Sequence, residues 1–164
     1  MGRIVVTEFI SLDGVIEAPG GGEEFEHAGW TFEFDRGEDG DAFKFDEVME
    51  AEAQLLGRRT YEGFAAAWPS YTDQVGFADK MNAMPKYVLS STLESADWNN
   101  STLIRGNLLD EVVRLRREIR GDLVVPASVR IARALLEHGL VDEVRLKVFP
   151  VVLGSGERLF DATG

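Results

Sequence analysis

Short apolar runs and amphipathic helical stretches alternate through the second half of this chain, and that alternation admits few folds. Residues 102–105, 122–126 and 143–152 read as strands, and residues 107–120 and 128–138 between them read as helices. Parallel strands need a crossover of about this length, so the pattern predicts an α/β fold with a largely parallel sheet. The helix at 107–120 is the best marked. Asn107 caps it, Asp110 and Glu111 lie in its first turn, Arg114, Arg116, Arg117 and Arg120 load its last turns, and Gly121 stops it. Leu108, Val112, Leu115 and Ile119 form its buried stripe. Its four arginines read as a solvated face favoured by the helix dipole, not as a ligand site. In 143–152 the alternation predicts Val144, Leu146 and Val148 inward and Glu143, Arg145 and Lys147 outward. Pro150 there requires a bulge, an edge or the strand's end.

The first half is less regular. Residues 3–11 are β-branched and aromatic enough for a central strand, and they run into a glycine-rich loop from Leu12 to Gly22. That loop is either a flexible connector or part of a site, since long loops between core elements tend to carry function. An acidic tract follows, then a helix at 41–51, a strand at 53–56 and a helix at 60–67 ended by Trp68-Pro69. Residues 70–85 read as irregular with one helical turn near 78–82, and 86–90 read as a strand.

A length of 164 residues fits one domain with a single core. No apolar run approaches the roughly 20 residues that span a bilayer, and the N-terminus lacks a signal-peptide core. The chain has no cysteine, which excludes disulfides, thiolate catalysis and thiolate metal sites, and points to the cytoplasm. Its two histidines lie apart, so no metal site is expected. The net charge of −12 is segregated: residues 23–52 carry −10 and the rest only −2. Without a basic stripe, nucleic-acid binding is not expected. The acidic tract follows the glycine-rich loop and is expected to border the substrate end of a cleft, favouring neutral or cationic heterocycles over polyanions.

Two stretches suggest a phosphate-bearing ligand. In Leu55-Leu56-Gly57-Arg58-Arg59-Thr60-Tyr61-Glu62, an apolar run meets Gly57, which permits close backbone approach, and two arginine forks suited to phosphate oxygens. Thr60 would open a helix whose unpaired N–H groups favour an anion. A plain strand-to-helix turn with surface arginines accounts for the octet equally well. The later stretch Lys86-Tyr87-Val88-Leu89-Ser90-Ser91 ends in hydroxyls in the same way and favours the nucleotide reading.

Together with Ile10-Ser11-Leu12-Asp13-Gly14-Val15-Ile16, residues 135–143 (LLEHGLVDE) and residues 149–160 (FPVVLGSGERLF), these stretches resemble the dihydrofolate-reductase-like superfamily. More specifically, the chain is similar to stand-alone bacterial proteins related to the C-terminal reductase domain of the bifunctional riboflavin-biosynthesis deaminase/reductase. The resemblance spans nearly the whole chain in order. It implies a three-layer α/β/α fold on a central eight-stranded sheet and an NADPH-dependent reductase with the cofactor across the carboxyl ends of the strands.

By that resemblance, Gly57, Arg58 and Thr60 match the loop on the adenosine-side phosphates, and Ser90 and Ser91 the strand end at the adenine ribose and its 2′-phosphate. Ala127, Ser128 and Val129 match the turn facing the pyrophosphate. Leu12, Asp13 and Gly14 match the loop at the nicotinamide and substrate. Relatives usually carry glycine where this chain has Ala127, whose methyl crowds the phosphates unless the turn has negative φ. They also continue into a terminal strand hairpin that this chain is expected to lack, which favours a homodimer covering the sheet edge.

True dihydrofolate reductases place a buried carboxylate on the helix after the glycine-rich loop. Asp41, Asp46, Glu47, Glu50 and Glu52 occupy that region here, and the sequence singles out none. Asp13 is the preferred catalytic candidate by location, with a turn-forming Asp-Gly as the alternative. The implied function is NADPH-dependent reduction of a small heterocyclic substrate, as in the 5-amino-6-(5-phosphoribosylamino)uracil reductase of riboflavin biosynthesis. The alternatives are a folate-type reductase and a non-catalytic nucleotide-binding or stress-associated module.

Overall fold

The computed structural model describes residues 1–160. The expected absence of a terminal hairpin concerns chain beyond them and lies outside the described residues. The sheet contains β1 (Arg3–Ser11), β2 (Ala51–Gly57), β3 (Lys86–Leu89), β4 (Ser101–Ile104), β5 (Asp122–Pro126) and β6 (Glu143–Phe149). Its order is β4-β3-β2-β5-β1-β6 and every pairing is parallel. The described residues thus form six strands of the implied eight, in the α/β fold the alternation required. Among them no helix is long and apolar enough to cross a membrane.

The helices are α1 (Gly37–Glu50), α2 (Arg58–Ala67), α3 (Phe77–Ala83), α4 (Leu108–Glu118) and α5 (Val129–Glu137). Val48 of α1, Tyr61 of α2 and Met81 of α3 pack with Val5, Leu56, Val88 and Val124 on one face of the sheet. Val112, Leu115, Ile131 and Leu135 of α4 and α5 pack with Ile4, Val6, Leu123 and Val125 on the other. β1 and β5 were legible to the residue, and Asn107 caps α4 by accepting from the Leu109 and Asp110 N–H groups. α2 starts at Arg58, so Thr60 lies within its first turn and does not open it.

β6 inverts the expected alternation. Leu146 is 37% and Val148 58% exposed, while the Arg145 and Lys147 side chains are only 12% exposed. A period of two fixes which residues share a face but not which face is covered. Here α1 covers the polar face and supplies a partner, Glu47, for both cations.

Candidate functional site

The connections from β1 and β5 leave on opposite faces of the sheet, through α1 and α5. Neighbouring strands whose crossovers diverge leave a crevice beyond their carboxyl ends, the usual ligand position in open α/β sheets. The ladder shows where it opens. β1 pairs with β5 only to Thr7–Pro126, yet it continues along β6 to Ser11–Phe149. Residues 8–11 therefore have no ladder partner on the β5 side.

At one end of this edge, β2 and β5 are laced together. The Gly57 N–H donates to Ser128 Oγ (3.0 Å), and the Ser128 N–H donates to Thr60 Oγ1 (3.1 Å). Gly57 has φ −78°, open to any residue, so it contributes room and not a special conformation. Ala127 and Ser128 both have φ +47°, so the negative φ that would accommodate the Ala127 methyl is not adopted. Val129 begins α5, whose first turn faces the crevice with no side-chain cap.

Arg58 reaches across to β3: Nη1 donates to Thr92 Oγ1 (2.8 Å) and Nε to Glu62 (3.0 Å). Ser90 Oγ accepts from the Thr92 and Leu93 N–H groups (3.2 and 3.1 Å), so it shapes the turn, while Ser91 is exposed. Arg105, beyond β4, donates to the carbonyls of Ser91 and Leu93 from the other side. The sequence had not picked out Thr92 or Arg105. Hydroxyls or cations directly after adjacent parallel strands are the signal that would have found them.

The other end is the loop after β1. Gly14, at φ +82°, turns it in a region that only glycine visits readily, and Leu12 is exposed at its tip. Asp13 Oδ1 accepts from Ser11 Oγ (2.6 Å) and the Leu153 N–H (3.1 Å), and Oδ2 from the Gly154 N–H (2.8 Å). Arg158 lies 3.5 Å from the same carboxylate. The bonds from Ser11, Gly154 and Leu153 hold Asp13 well below the usual carboxylate range. It clasps the loop as an acceptor and carries no proton to give at neutral pH.

On the α1 face the structure singles out one of the five helix-region acids. Glu47 is buried, accepts from Thr7 Oγ1 (2.9 Å), and lies 3.0 Å from Lys44 Nζ and 3.4 Å from Lys147 Nζ. Burial opposes its ionisation, but Lys44 and Lys147 outweigh burial and keep it below the ordinary range. Lys147 also donates to Thr7, and burial with Lys44 nearby lowers its pKa to about 8. Beside this cluster Phe9 makes edge contact with Phe149, which also meets Trp30 and Phe34. Arg36, Lys44 and Lys147 lie 5.6, 5.5 and 5.1 Å from the Phe9 centroid. The only two cations of the acidic tract, Arg36 and Lys44, thus both stand beside Phe9, each paired with an acid of the same tract, Asp41 and Glu47.

A parallel sheet with helices on both faces and polar groups gathered along its carboxyl edge defines an open α/β protein of the ligand-binding kind. The sequence profile of the RibD C-terminal domain matches residues 3–164, and the chain belongs to that family. It is 29% identical over 161 residues to the uncharacterized protein YyaP of Bacillus subtilis, covering 96% of this chain and 80% of YyaP. A putative riboflavin biosynthesis protein from Shewanella sp. PV-4 superposes with a TM-score of 0.72 at 20% identity, over 97% of this chain and 83% of its own. The riboflavin biosynthesis reductase Rib7 of Saccharomyces cerevisiae gives 0.57 at 14% identity, over 99% and 80% of the two chains.

Proposed function

We propose that this protein is an NADPH-dependent reductase of a small heterocyclic substrate. The observation that carries the reading is the convergence beyond β2, β3 and β4. There Arg58 and Arg105 flank the turn at Ser91–Thr92 beside the uncapped start of α2. Guanidinium forks and hydroxyls suit a 2′-phosphate, and helix N-termini suit a pyrophosphate. The chain's membership of a family named for a riboflavin-pathway reductase domain supports the same reading.

When bound, NADPH supplies the hydride. The chain's own residues bind and orient. Arg58, Ser91 and the first turns of α2 and α5 hold the phosphates, and Asp13 with Arg158 pins the loop over the other end. Phe9 lies beside Lys44 and Lys147, whose charges are taken up by Glu47. Glu47 keeps those two lysines close together. The buried Glu47 favours a second reading, a folate-type substrate, because such reductases use a buried carboxylate on this helix.

The test is a fluorescence titration with NADPH and with NADH, followed by NADPH-oxidation assays with the phosphorylated aminouracil and with dihydrofolate. Tighter NADPH binding is expected. Binding of neither dinucleotide would leave a non-catalytic module of the same fold.

A further inference from the structure

Glu8 is out of place for its surroundings. Its neighbours at alternate positions of β1, Val6 and Ile10, lie in the apolar core under α4 and α5, and Glu8 itself is 3% exposed. Its Oε1 is fully enclosed without a hydrogen-bond partner. A buried carboxyl left in this condition is costly and calls for a reason. Its position supplies one. Thr7 is the last β1 residue that pairs with β5, so Glu8 is the first without a β5 partner and lies enclosed at the root of the crevice, where Ala127 and Ser128 turn β5 away.

We infer that Glu8 is the docking group for a carboxamide edge entering this crevice, namely the amide of the nicotinamide ring. The inference rests on the reductase reading above. Burial pushes Glu8 well above the ordinary carboxylate range. Lys147 of β6 and Lys44 of α1 act in the opposite direction, and Glu157 of the loop after β6 reinforces burial. The neutral acid presents an O–H donor beside a carbonyl acceptor, the complement of a primary carboxamide. An ionised carboxylate has acceptors only and would repel the amide oxygen. Glutamine offers the same donor and acceptor as the neutral acid, and valine offers neither. A lactam edge on the substrate has the same chemistry, and the ligands below separate the two sources.

The experiment is an equilibrium titration of wild type, Glu8→Val and Glu8→Gln with NADPH, with 2′-phospho-ADP-ribose, which lacks the nicotinamide, and with uracil as a lactam. Glu8→Val is expected to weaken NADPH roughly ten-fold, the worth of one such bond pair, and to leave 2′-phospho-ADP-ribose unchanged. Glu8→Gln is expected to restore most of the NADPH affinity. Equal losses for NADPH and 2′-phospho-ADP-ribose would make Glu8 merely structural and overturn the assignment. So would unchanged NADPH affinity in Glu8→Val, a loss confined to uracil, or failure of Glu8→Gln to rescue. If wild type binds neither NADPH nor 2′-phospho-ADP-ribose, the reductase reading itself falls. That outcome differs from wild type binding both with Glu8 silent.

Discussion

Ala127 holds a left-handed backbone, φ +47°, where its methyl meets its own chain, and Ser128 beside it does the same. Such a conformation costs roughly 1–2 kcal/mol in a residue other than glycine. Ala127→Gly is therefore expected to raise stability by up to about 1 kcal/mol, or some 2–4 °C in the melting temperature of a chain this size. The same change should tighten NADPH, because it removes a methyl from the turn proposed to face the pyrophosphate. A lower melting temperature would show that the turn is not strained, and unchanged affinity would place the cofactor elsewhere. Arg58 is a cleaner probe of cofactor choice, since its side chain is 47% exposed and its removal leaves the core intact. Arg58→Ala should cost NADPH about 1.5–3 kcal/mol of binding and NADH almost none. Isothermal titration would decide, and equal losses would sink the 2′-phosphate assignment.

At the scale of elements, what the sequence disclosed follows from contrast. β1 and β5 are apolar runs with abrupt polar ends, and their bounds could be read directly. α1 has almost no apolar stripe, with Glu47 and Val48 its buried residues, so periodicity misplaced its start and could not rank its acids. The α2 arginines and the Ser90–Ser91 strand end were legible because small and cationic residues follow apolar runs. Their lacing through Ser128, Thr60, Thr92 and Arg105 depends on strand order, which no local pattern encodes. β6 misled for a related reason: its cations looked solvated because their partner, Glu47, lies a hundred residues away in sequence. That buried group supports a prediction. Glu47→Leu leaves Lys44, Lys147 and Arg145 facing one another without their shared carboxylate, and breaking such a buried network costs about 3–5 kcal/mol. Urea unfolding should show a loss of that order. A loss under about 1 kcal/mol would mean that water already shares those charges.

At the scale of the whole molecule, two groups of acids pull stability in opposite directions with pH. Glu47, Asp122 and Glu143 are held below their ordinary values by basic partners, so their contribution is full above the ordinary range and is lost on acidification through the lowered values. Glu8 behaves oppositely. The unfolded chain ionises it near pH ~4.3, while burial raises the folded group above that, so its contribution falls as pH rises from there toward its raised value. Melting curves of Glu8→Gln and wild type should therefore diverge in favour of the variant as pH rises above the ordinary carboxylate range. A constant difference would mean that folded Glu8 is already ionised. The last expectation concerns association. Among the described residues β6 is an edge strand, and Val144, Leu146 and Val148 stand exposed along one side of it, with Val152 and Phe160 exposed nearby. An unpaired edge with an apolar row is a template for a second strand, and a second copy of this chain would offer the same row across a two-fold axis. Opposing this is a net charge of −12 on each copy, which salt screens over about 8 Å at physiological ionic strength. Light scattering at tens of micromolar should thus find a homodimer that tightens as salt is added, and Val148→Glu, at 58% exposure, should dissociate it without unfolding the chain. A monomer at every salt concentration would leave this edge without the partner proposed for it.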